Sequence, residues 1–542
     1  MFKPFQALTA VILMTMIFDN CTSSNEKKVQ APAPTANPLT QKWEGPHNGV
    51  PAFDKIQVAD FLPAFEIGMM EKSNEIAKIA GNPEAPTFQN TIEALEKTGN
   101  TLKRVQSIYY VWTSNMSTPE MEAVQTTIEP KLAAFSDSII QNTPLFLRIE
   151  SVYNSPEKQN LSPEQQRLVW RYYTNYVLAG AKLDSTNKKR VAEINQQLAG
   201  LFTKFSQHQL ADEGDKFLEL TSEKDLDGLP EGVKNAAAEA ANAKNKNGSW
   251  IIANTRSSIE PFLSYANNRE LREKAWRMFI NRGDNGDAND NNAIITEILQ
   301  LRAERAKILG YPTHAHWRLA DKMAQTPEKA MALLESVWPA AVQRVKEEVK
   351  DMQALADKEG AKIKIEPWDY RYFAEKVRKS KFDLDQDEVK QYLQLEKLRE
   401  GMFFVAGELF NLEFTQVNDV PVFHPDVRVF KVTNKTSGQQ IGLWYFDPYA
   451  RKGKRSGAWM TAYRDQEKLN GDITTIVSNN CNFIKGKSDE PILISWDDAE
   501  TLFHEFGHAL HGLNSNVTYP SLSGTSVATD YVEFPSQIME RW

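Results

Sequence analysis

The sequence predicts a mainly α-helical fold with one small β-element. Apolar residues recur at three- and four-residue steps through long segments, as on one face of a helix, whereas strict alternation is confined to one region. With 542 residues, 41% of them hydrophobic, the chain can bury a large core. The segment 292–309 is typical, with Ile298 and Leu301 on one face and Gly310 as the stop. Comparable helical patterns cover residues 58–79, 87–112, 163–208, 327–358 and 386–410.

The exception to the helical pattern is a pair of alternating runs at 427–433 and 440–446. They are joined by NKTSG, a polar segment with a glycine, which predicts a β-hairpin. An edge strand in this region could pair with an extended peptide through main-chain hydrogen bonds.

The Asn- and Lys-rich stretch 244–248 is the best candidate for a boundary inside the chain. We therefore expect an N-terminal helical domain at 45–247 and a second domain at 248–542, which together would form two helical lobes. Residues 22–44 are predicted to be a flexible tether, because Ser, Asn, Ala and Pro dominate their first part.

The start of the chain resembles a secretory signal at residues 1–21. Lys3 is followed by an apolar run at 7–18 that is too short for a confident membrane span. A cysteine directly after such a run, Cys21, predicts a bacterial lipoprotein anchored by a lipidated cysteine; a simple cleaved signal is the alternative. Either interpretation places the protein outside the cytoplasm, in the periplasm or on a membrane. The exported part would then keep one thiol, Cys481, and no internal disulfide.

The charge balance bears on the partners of the protein. The formal net charge is -8, and no basic stripe dominates the sequence, which argues against a nucleic-acid partner. The sequence does not specify the oligomeric state, and we expect a monomer.

The segment LFHEFGHALHGL carries the strongest chemical signal. His504 and His508 are four residues apart, so a helix places both imidazoles on one face, with Glu505 between them. Ser495 and Asp498 are predicted to cap the start of this helix. The opposite half of the helix is apolar and holds Leu502, Phe503, Phe506, Ala509, Leu510 and Leu513.

A catalytic zinc site usually has three protein ligands and an open fourth position. Glu533 is the predicted third ligand, on a second helical stretch with a polar stripe of Asp530, Glu533, Gln537 and Glu540. The apolar residues of that stretch, Tyr531, Phe534, Ile538 and Trp542, are predicted to face a core. Asp530, Glu540 and His511 are candidates for orienting a ligating histidine, since such imidazoles donate their other N–H to an acceptor.

The chemistry of such a site follows from the metal. One zinc ion per chain would polarise a scissile carbonyl and lower the pKa of its bound water to about 7. Glu505 would accept the proton of that water and pass it to the leaving amine. The alternative is a chance helix with two surface histidines, because the motif is short.

Several segments together resemble the thimet oligopeptidase and peptidyl-dipeptidase family of zinc metallopeptidases, closest to its bacterial peptidyl-dipeptidase branch. They include SWDDAETLFHEFGHALHGL, SLSGT, DYVEFPSQIMERW, LWYFDPYARKGKRSGAWM and NRGDNGDANDNNAIITEILQLRAERAKILGY. The likeness implies that 248–542 is the catalytic domain, that His504, His508 and Glu533 hold zinc, and that Glu505 is the general base. It also implies two helical lobes around a deep channel that admits short unstructured peptides, with the hairpin in a small sheet beside the zinc helix.

The resemblance leaves the reaction open between two kinds of cleavage. Release of C-terminal dipeptides is favoured over internal cleavage of oligopeptides, because the matches lean to the bacterial branch. A non-catalytic lipoprotein that binds peptides or zinc is the alternative from another functional class. Gly524 in SLSGT and Arg451 in a basic cluster are predicted to contact substrate, and Arg451 could hold a substrate carboxylate; a solvated loop is an equally good interpretation of that cluster.

The sequence ends at Trp542, inside the helical stripe that carries Glu533. Members of the resembling family continue into a further helical region with tyrosine and histidine side chains that contact the substrate. The comparison therefore predicts a C-terminally incomplete copy of the enzyme, with a nearly whole metal site and impaired catalysis.

Overall fold

Helices dominate the part of the chain that the structure describes, as the sequence predicts. The computed structural model describes residues 37–485 and 490–542. The predicted signal segment 1–21, with Cys21, and the first part of the predicted tether lie outside the described residues. Within the described ranges, no helix combines the length and the apolar character that crossing a membrane requires.

The α-helices of the described residues are α1 (Phe61–Ala80), α2 (Ala94–Glu96), α3 (Asn100–Asn115), α4 (Pro119–Ile140), α5 (Thr143–Asn154), α6 (Pro163–Leu178), α7 (Ser185–Asp215), α8 (Glu231–Ala243), α9 (Arg256–Tyr265), α10 (Arg269–Ile280), α11 (Asn292–Ile308), α12 (His314–Leu319), α13 (Pro327–Lys358), α14 (Pro367–Phe382), α15 (Gln386–Lys390), α16 (Leu395–Phe410), α17 (Trp496–Leu513) and α18 (Glu533–Met539). Short 3₁₀ turns occur at Phe53–Lys55, Val58–Asp60, Pro156–Asn160, Glu223–Leu226 and Pro520–Leu522, and a π-helical turn at Phe88–Glu93 leads into α2.

The long helix predicted over 163–208 is in fact two helices, α6 and α7. Gly180, just after α6, has a φ of +93°, a left-handed conformation that ends a helix and that glycine adopts without strain. Asp184 then caps α7 by accepting main-chain N–H bonds from Thr186 and Asn187 at 3.0 Å. The apolar periodicity continues across this break, so it did not reveal the turn.

The strands are β1 (Phe217–Leu220), β2 (Trp250–Ala253), β3 (Leu412–Val417), β4 (Arg428–Asn434), β5 (Gln440–Tyr449), β6 (Trp459–Arg464) and β7 (Thr475–Phe483). The last five form one sheet in the order β3-β4-β5-β7-β6, in which β5 and β7 are parallel and the other neighbours antiparallel. The predicted hairpin is confirmed as β4 and β5. Both of its strands are interior, however, so the edges that could accept an extended peptide belong to β3 and β6.

The predicted boundary at 247/248 does not coincide with a break in packing. Strands β1 and β2 lie on opposite sides of it and pair with each other. One hydrophobic core also combines Leu39 and Tyr109 with Val429 and Tyr445. Leu39 falls inside the predicted tether 22–44 and is buried, so the packed chain begins earlier than expected.

Helix α17 lies on the five-stranded sheet with its apolar half inward, as predicted. Leu502, Phe506 and Leu510 share a core with Trp444 and Val477. The predicted cap is also present: the Asp498 N–H donates to Ser495 Oγ at 3.1 Å, and the Ser495 N–H donates to Asp498 Oδ2 at 3.2 Å. The cap and the apolar face together fix where the helix starts and which side faces outward.

Helix α18 corrects one prediction about its apolar side. Its buried residues are Ser536 and Met539. The residues predicted to face a core, Tyr531, Phe534, Ile538 and Trp542, are all exposed. The helix therefore packs through Ser536 and Met539, and the small side chain of Ser536 lets its backbone come close to Gly507 of α17.

Candidate metal centre

His504 and His508 lie side by side on the outward face of α17. Their ring centroids are 5.0 Å apart and the ring planes are nearly perpendicular, at 84°. This arrangement follows from the four-residue spacing on one helix. The Nε2 atoms of both rings turn toward the first residue of α18, Glu533.

Glu533 reaches the two histidines because α18 approaches α17 closely at Gly507. A Cβ at Gly507 would lie 2.6 Å from Ser536 Cα, closer than real Cβ atoms approach, and 3.0 Å from the Pro535 carbonyl oxygen, a tight contact. Only glycine allows this approach. As a result Glu533 Oε2 lies 3.1 Å from Nε2 of His504 and 3.1 Å from Nε2 of His508.

These three ligand atoms fit a single metal ion. Among the described residues they form a group whose ligand atoms all lie within 4.8 Å of one another. Zinc bonds of 2.0–2.1 Å in a tetrahedral site place neighbouring ligand atoms about 3.4 Å apart, close to the separations that Glu533 makes. Two imidazole nitrogens and one carboxylate oxygen form a typical catalytic zinc set. The structure thus brings the predicted ligands together.

The protonation states of the group also suit metal binding. Burial lowers the pKa of His508, which favours the neutral imidazole that a metal needs, although Glu533 opposes the shift. The pKa of Glu533 is lowered overall: burial raises it, but a hydrogen bond with Ser536 and the neighbouring imidazoles outweigh burial. The ligand carboxylate is therefore ionised near neutral pH.

Glu540 lies within hydrogen-bond distance of His504, as a residue that orients this imidazole would have to. Its Oε2 lies 2.9 Å from His504 Nδ1. Because a carboxylate only accepts hydrogen bonds, Nδ1 carries the proton and Nε2 keeps its lone pair for a metal. His511 is not part of this group: its Nδ1 is buried and has no hydrogen-bond partner among the described residues.

Glu505 lies on the inner flank of the ligand group and is nearly buried, with 7% of its surface exposed. Its Oε2 has no hydrogen-bond partner among the described residues. Burial raises the pKa of Glu505 to about 7; His504 opposes the rise and Glu533 adds to it. A buried carboxylate with a free oxygen and a pKa near neutrality can take up and return a proton.

The segment between α17 and α18 is hydrogen-bonded to the N-terminal half of the chain. Glu96 accepts a hydrogen bond from the Ser521 hydroxyl at 2.6 Å. Glu164 accepts the Thr518 N–H, also at 2.6 Å. Sequence reasoning did not find these residues, because their partners lie more than 350 positions away along the chain.

The structure corrects the prediction for Asp530. Its two carboxylate oxygens accept the main-chain N–H groups of Met323 and Ala324, at 3.1 and 2.9 Å, and no hydrogen bond joins them to a histidine of the described residues. Asp530 therefore fixes the chain three residues before Glu533 and does not orient a ligand itself.

Arg451 also differs from its predicted role as a substrate contact. Its two terminal nitrogens pair with Asp447 at 2.7 and 2.8 Å, and one of them also donates to the Asn115 carbonyl. Lys454, from the same basic cluster, is buried and donates to the carbonyls of Asp447 and Tyr449 at 2.9 Å. Arg451 is therefore paired with buried Asp447, and Lys454 is held by main-chain carbonyls, whereas the neighbouring Lys452 and Arg455 are exposed to solvent.

Gly524 has a packing role in the structure. A Cβ at this position would lie 3.1 Å from Gly512 Cα, at the end of α17, and its N–H donates to Ser515 Oγ at 3.1 Å. Its predicted contact with substrate stays a prediction.

Comparison with known proteins identifies the family of this chain. The model of peptidase family M3 matches residues 262–542, and the model of the neurolysin/thimet oligopeptidase N-terminal domain matches residues 67–188. The chain is 39% identical to a dipeptidyl carboxypeptidase of Escherichia coli over 94% of this chain and 74% of that protein. It is 31% identical to an oligopeptidase A of Haemophilus influenzae over 91% of this chain and 73% of that protein.

A plant relative extends the comparison. The chain is 34% identical to the organellar oligopeptidase A of Arabidopsis thaliana, over 94% of this chain and 65% of that protein. Proteins named dipeptidyl carboxypeptidase and proteins named oligopeptidase A are thus both similar to this chain over more than nine tenths of its length. The protein belongs to peptidase family M3 and is a metallopeptidase that hydrolyses peptide bonds.

Proposed function

We propose that the protein is a zinc-dependent peptidase that releases C-terminal dipeptides from short unstructured peptides. The observation that carries the proposal is the convergence of His504, His508 and Glu533 on one point, together with the buried carboxylate of Glu505, which interacts electrostatically with His504 and Glu533. A zinc ion held there would supply Lewis acidity toward a scissile carbonyl and lower the pKa of a bound water to about 7.

The chain's own residues supply the proton transfers. Glu505 Oε2, which lacks a partner, can take a proton from water and later give it to the leaving amine. The pKa of Glu505, raised to about 7 by burial, suits both directions of transfer. Glu540 keeps the His504 ring in one tautomer while this happens.

The preference for dipeptide release is supported by sequence identity. The chain shares 39% identity with a dipeptidyl carboxypeptidase and 30–31% with bacterial oligopeptidase A proteins. Internal cleavage of oligopeptides is the second candidate function, because those relatives also match over more than nine tenths of the chain.

A matched pair of peptides tests the proposal. Both carry the same sequence and a blocked N-terminus, but one ends in a free carboxylate and the other in an amide. Dipeptide release predicts that mass spectrometry finds a C-terminal dipeptide from the free acid and little product from the amide. Internal cleavage predicts the same fragments from both. Zinc bound in elemental analysis, with no product from either peptide, would instead favour a peptide- or zinc-binding lipoprotein.

We also propose that the protein is exported, anchored by lipid on Cys21 and monomeric. The support is the sequence pattern of residues 1–21, and the anchor has a direct test. Cys21→Ser is expected to move the protein from the membrane fraction to the soluble fraction after cell disruption. A variant that stays in the membrane fraction would refute lipidation, and a wild-type protein that is already soluble would refute it and favour a cleaved signal.

A further inference from the structure

Strand β7 contacts the helix that carries Glu505 through one fully buried polar side chain, Asn479. Its Nδ2 donates to the main-chain carbonyl of Glu505 at 2.5 Å. Its Oδ1 accepts the indole N–H of Trp444, on neighbouring strand β5, at 2.6 Å. The amide therefore bridges the sheet and the middle of α17.

The orientation of this amide is not ambiguous. The Trp444 indole can only donate, and the Glu505 carbonyl can only accept. The oxygen of Asn479 must therefore face Trp444, and its NH₂ group must face α17. A flipped amide would place donor against donor and acceptor against acceptor.

The hydrogen bond from Asn479 to α17 is not needed to give the Glu505 carbonyl a partner. A carbonyl in the interior of a helix already accepts the N–H four residues later, so Glu505 does not need a second donor. Around this bond, apolar side chains of α17 such as Phe506 and Leu510 pack in one core with side chains of the sheet. Apolar packing has no preferred direction, whereas a hydrogen bond fixes both distance and angle.

The next residue shows how selective the contact is. Asn480 projects to the other face of β7, as alternation along a strand requires. There it accepts the Asn115 amide at 2.7 Å, away from α17. Of the two adjacent buried asparagines, only Asn479 holds the helix.

We propose that Asn479 is a positioning residue, which fixes the rotation and height of α17 on the sheet and so keeps His504, His508 and Glu505 aligned with Glu533. The inference rests on the proposed zinc-dependent function. In this role Asn479 would contact neither metal nor substrate and would act through the backbone of Glu505. Removing a direct hydrogen-bond partner of a metal ligand typically changes metal affinity or activity about 10- to 100-fold. Asn479 acts one step further out, through the backbone beside His504, so we expect an effect at the lower end of that range.

The test compares Asn479→Leu with a matched control, Asn254→Leu. Asn254 is also fully buried and also donates to a helix carbonyl, that of Asp212 at 3.1 Å, but it lies outside the metal centre. Both variants lose stability by leaving buried groups unpaired. Chelator competition, kcat, KM and thermal unfolding are measured on the full chain.

Asn479→Leu is expected to weaken zinc binding about tenfold and lower kcat about tenfold with little change in KM. Asn254→Leu should lower the melting temperature alone. Trp444→Phe provides a second variant should Asn479→Leu fail to fold: it keeps Asn479 but removes the donor that orients its amide, so a smaller loss in the same direction is expected.

The outcomes separate this inference from the proposed function. If Asn479→Leu folds and keeps the zinc affinity and kcat of the wild type, Asn479 has only a structural role, and the inference alone is overturned. If only Trp444→Phe folds, the same result in that variant has the same meaning. Equal losses in zinc affinity for Asn479→Leu and Asn254→Leu would also overturn it. A wild-type chain that binds no zinc would overturn the proposed function, and the inference with it.

Discussion

Glu540 Oε2 lies 2.9 Å from Nδ1 of His504, while Glu533 Oε2 lies 3.1 Å from Nε2 of the same ring. The two carboxylates belong to one short helical segment and face opposite nitrogens of one imidazole. Glu533 can share a metal with His504, and Glu540 holds the proton on the far side of the ring. Two carboxylates seven positions apart can thus supply a ligand and fix the tautomer of the same imidazole.

Glu540→Ala should weaken zinc binding about tenfold or more without removing a ligand, because His504 loses the acceptor that fixes its ring. Chelator competition measures the dissociation constant. Glu347, exposed on α13, provides the control. Glu347→Ala should bind zinc as the wild type does, and an equal affinity for Glu540→Ala would show that the contact does not orient the ligand.

Gly507→Ala should push α18 away from α17 and separate Glu533 from the histidines. The new Cβ would lie 2.6 Å from Ser536 Cα, and backbone atoms cannot move aside as a flexible side chain does. We expect a loss of about 1–3 kcal/mol in the free energy of unfolding. We also expect weaker zinc binding, measured by chelator competition.

Gly200, inside α7, is the matched control for that substitution. A Cβ added there meets no atom within 4 Å. Gly200→Ala should therefore raise stability by up to about 1 kcal/mol, since alanine favours a helix over glycine. Unchanged zinc affinity in Gly507→Ala would mean that the close approach of the two helices does not set the position of Glu533.

The proposed metal ligands could be predicted from sequence because much of their geometry is local. His504 and His508 are one helical turn apart, and Glu533 and Glu540 lie on one stripe of a second short helix. Helical periodicity alone places each pair on one face. That α17 and α18 pack against each other was inferred from metal chemistry and from the family resemblance. The close approach of α18 at Gly507 gives the physical reason for this packing.

Other features depend on partners far away in sequence. Asp530 binds the backbone of Met323 and Ala324, and no local pattern indicates this contact. Strand β7 was missed because its buried centre, Ser478, Asn479 and Asn480, is polar and shows no alternation. Hydrogen bonds to other elements, rather than apolar burial, make these polar residues suitable for the interior.

Glu505→Gln should keep zinc and lose hydrolysis. The amide has nearly the same shape as the carboxylate, so the fold and the three ligands stay in place, but it cannot accept a proton from water. We expect kcat to fall at least about 100-fold, with zinc content by elemental analysis equal to that of the wild type. Substantial hydrolysis by this variant would assign the role of base to another group.

The buried pair of Asp447 and Arg451 should make stability depend on acid pH. Burial by itself raises the pKa of Asp447, but the hydrogen bond from Arg451 and the charge of Lys454 outweigh burial and leave that pKa lowered. The unfolded chain has an aspartate pKa of about 3.9. The contribution to stability is therefore complete above about pH 4 and is lost as the pH falls through the lower folded-state pKa.

Asp447→Asn removes this contribution and leaves Arg451 and Lys454 without a buried counter-charge. At neutral pH the variant should lose about 3–5 kcal/mol of unfolding free energy. Urea unfolding between about pH 7 and pH 3, with a chelator present so that zinc release adds nothing, should show the gap to the wild type narrowing below about pH 4. Asp472 is exposed, so Asp472→Asn is the control: its free energy of unfolding should equal that of the wild type at every pH. A gap that stays constant down to pH 3 would mean that Asp447 is not stabilised as an ion by this pair.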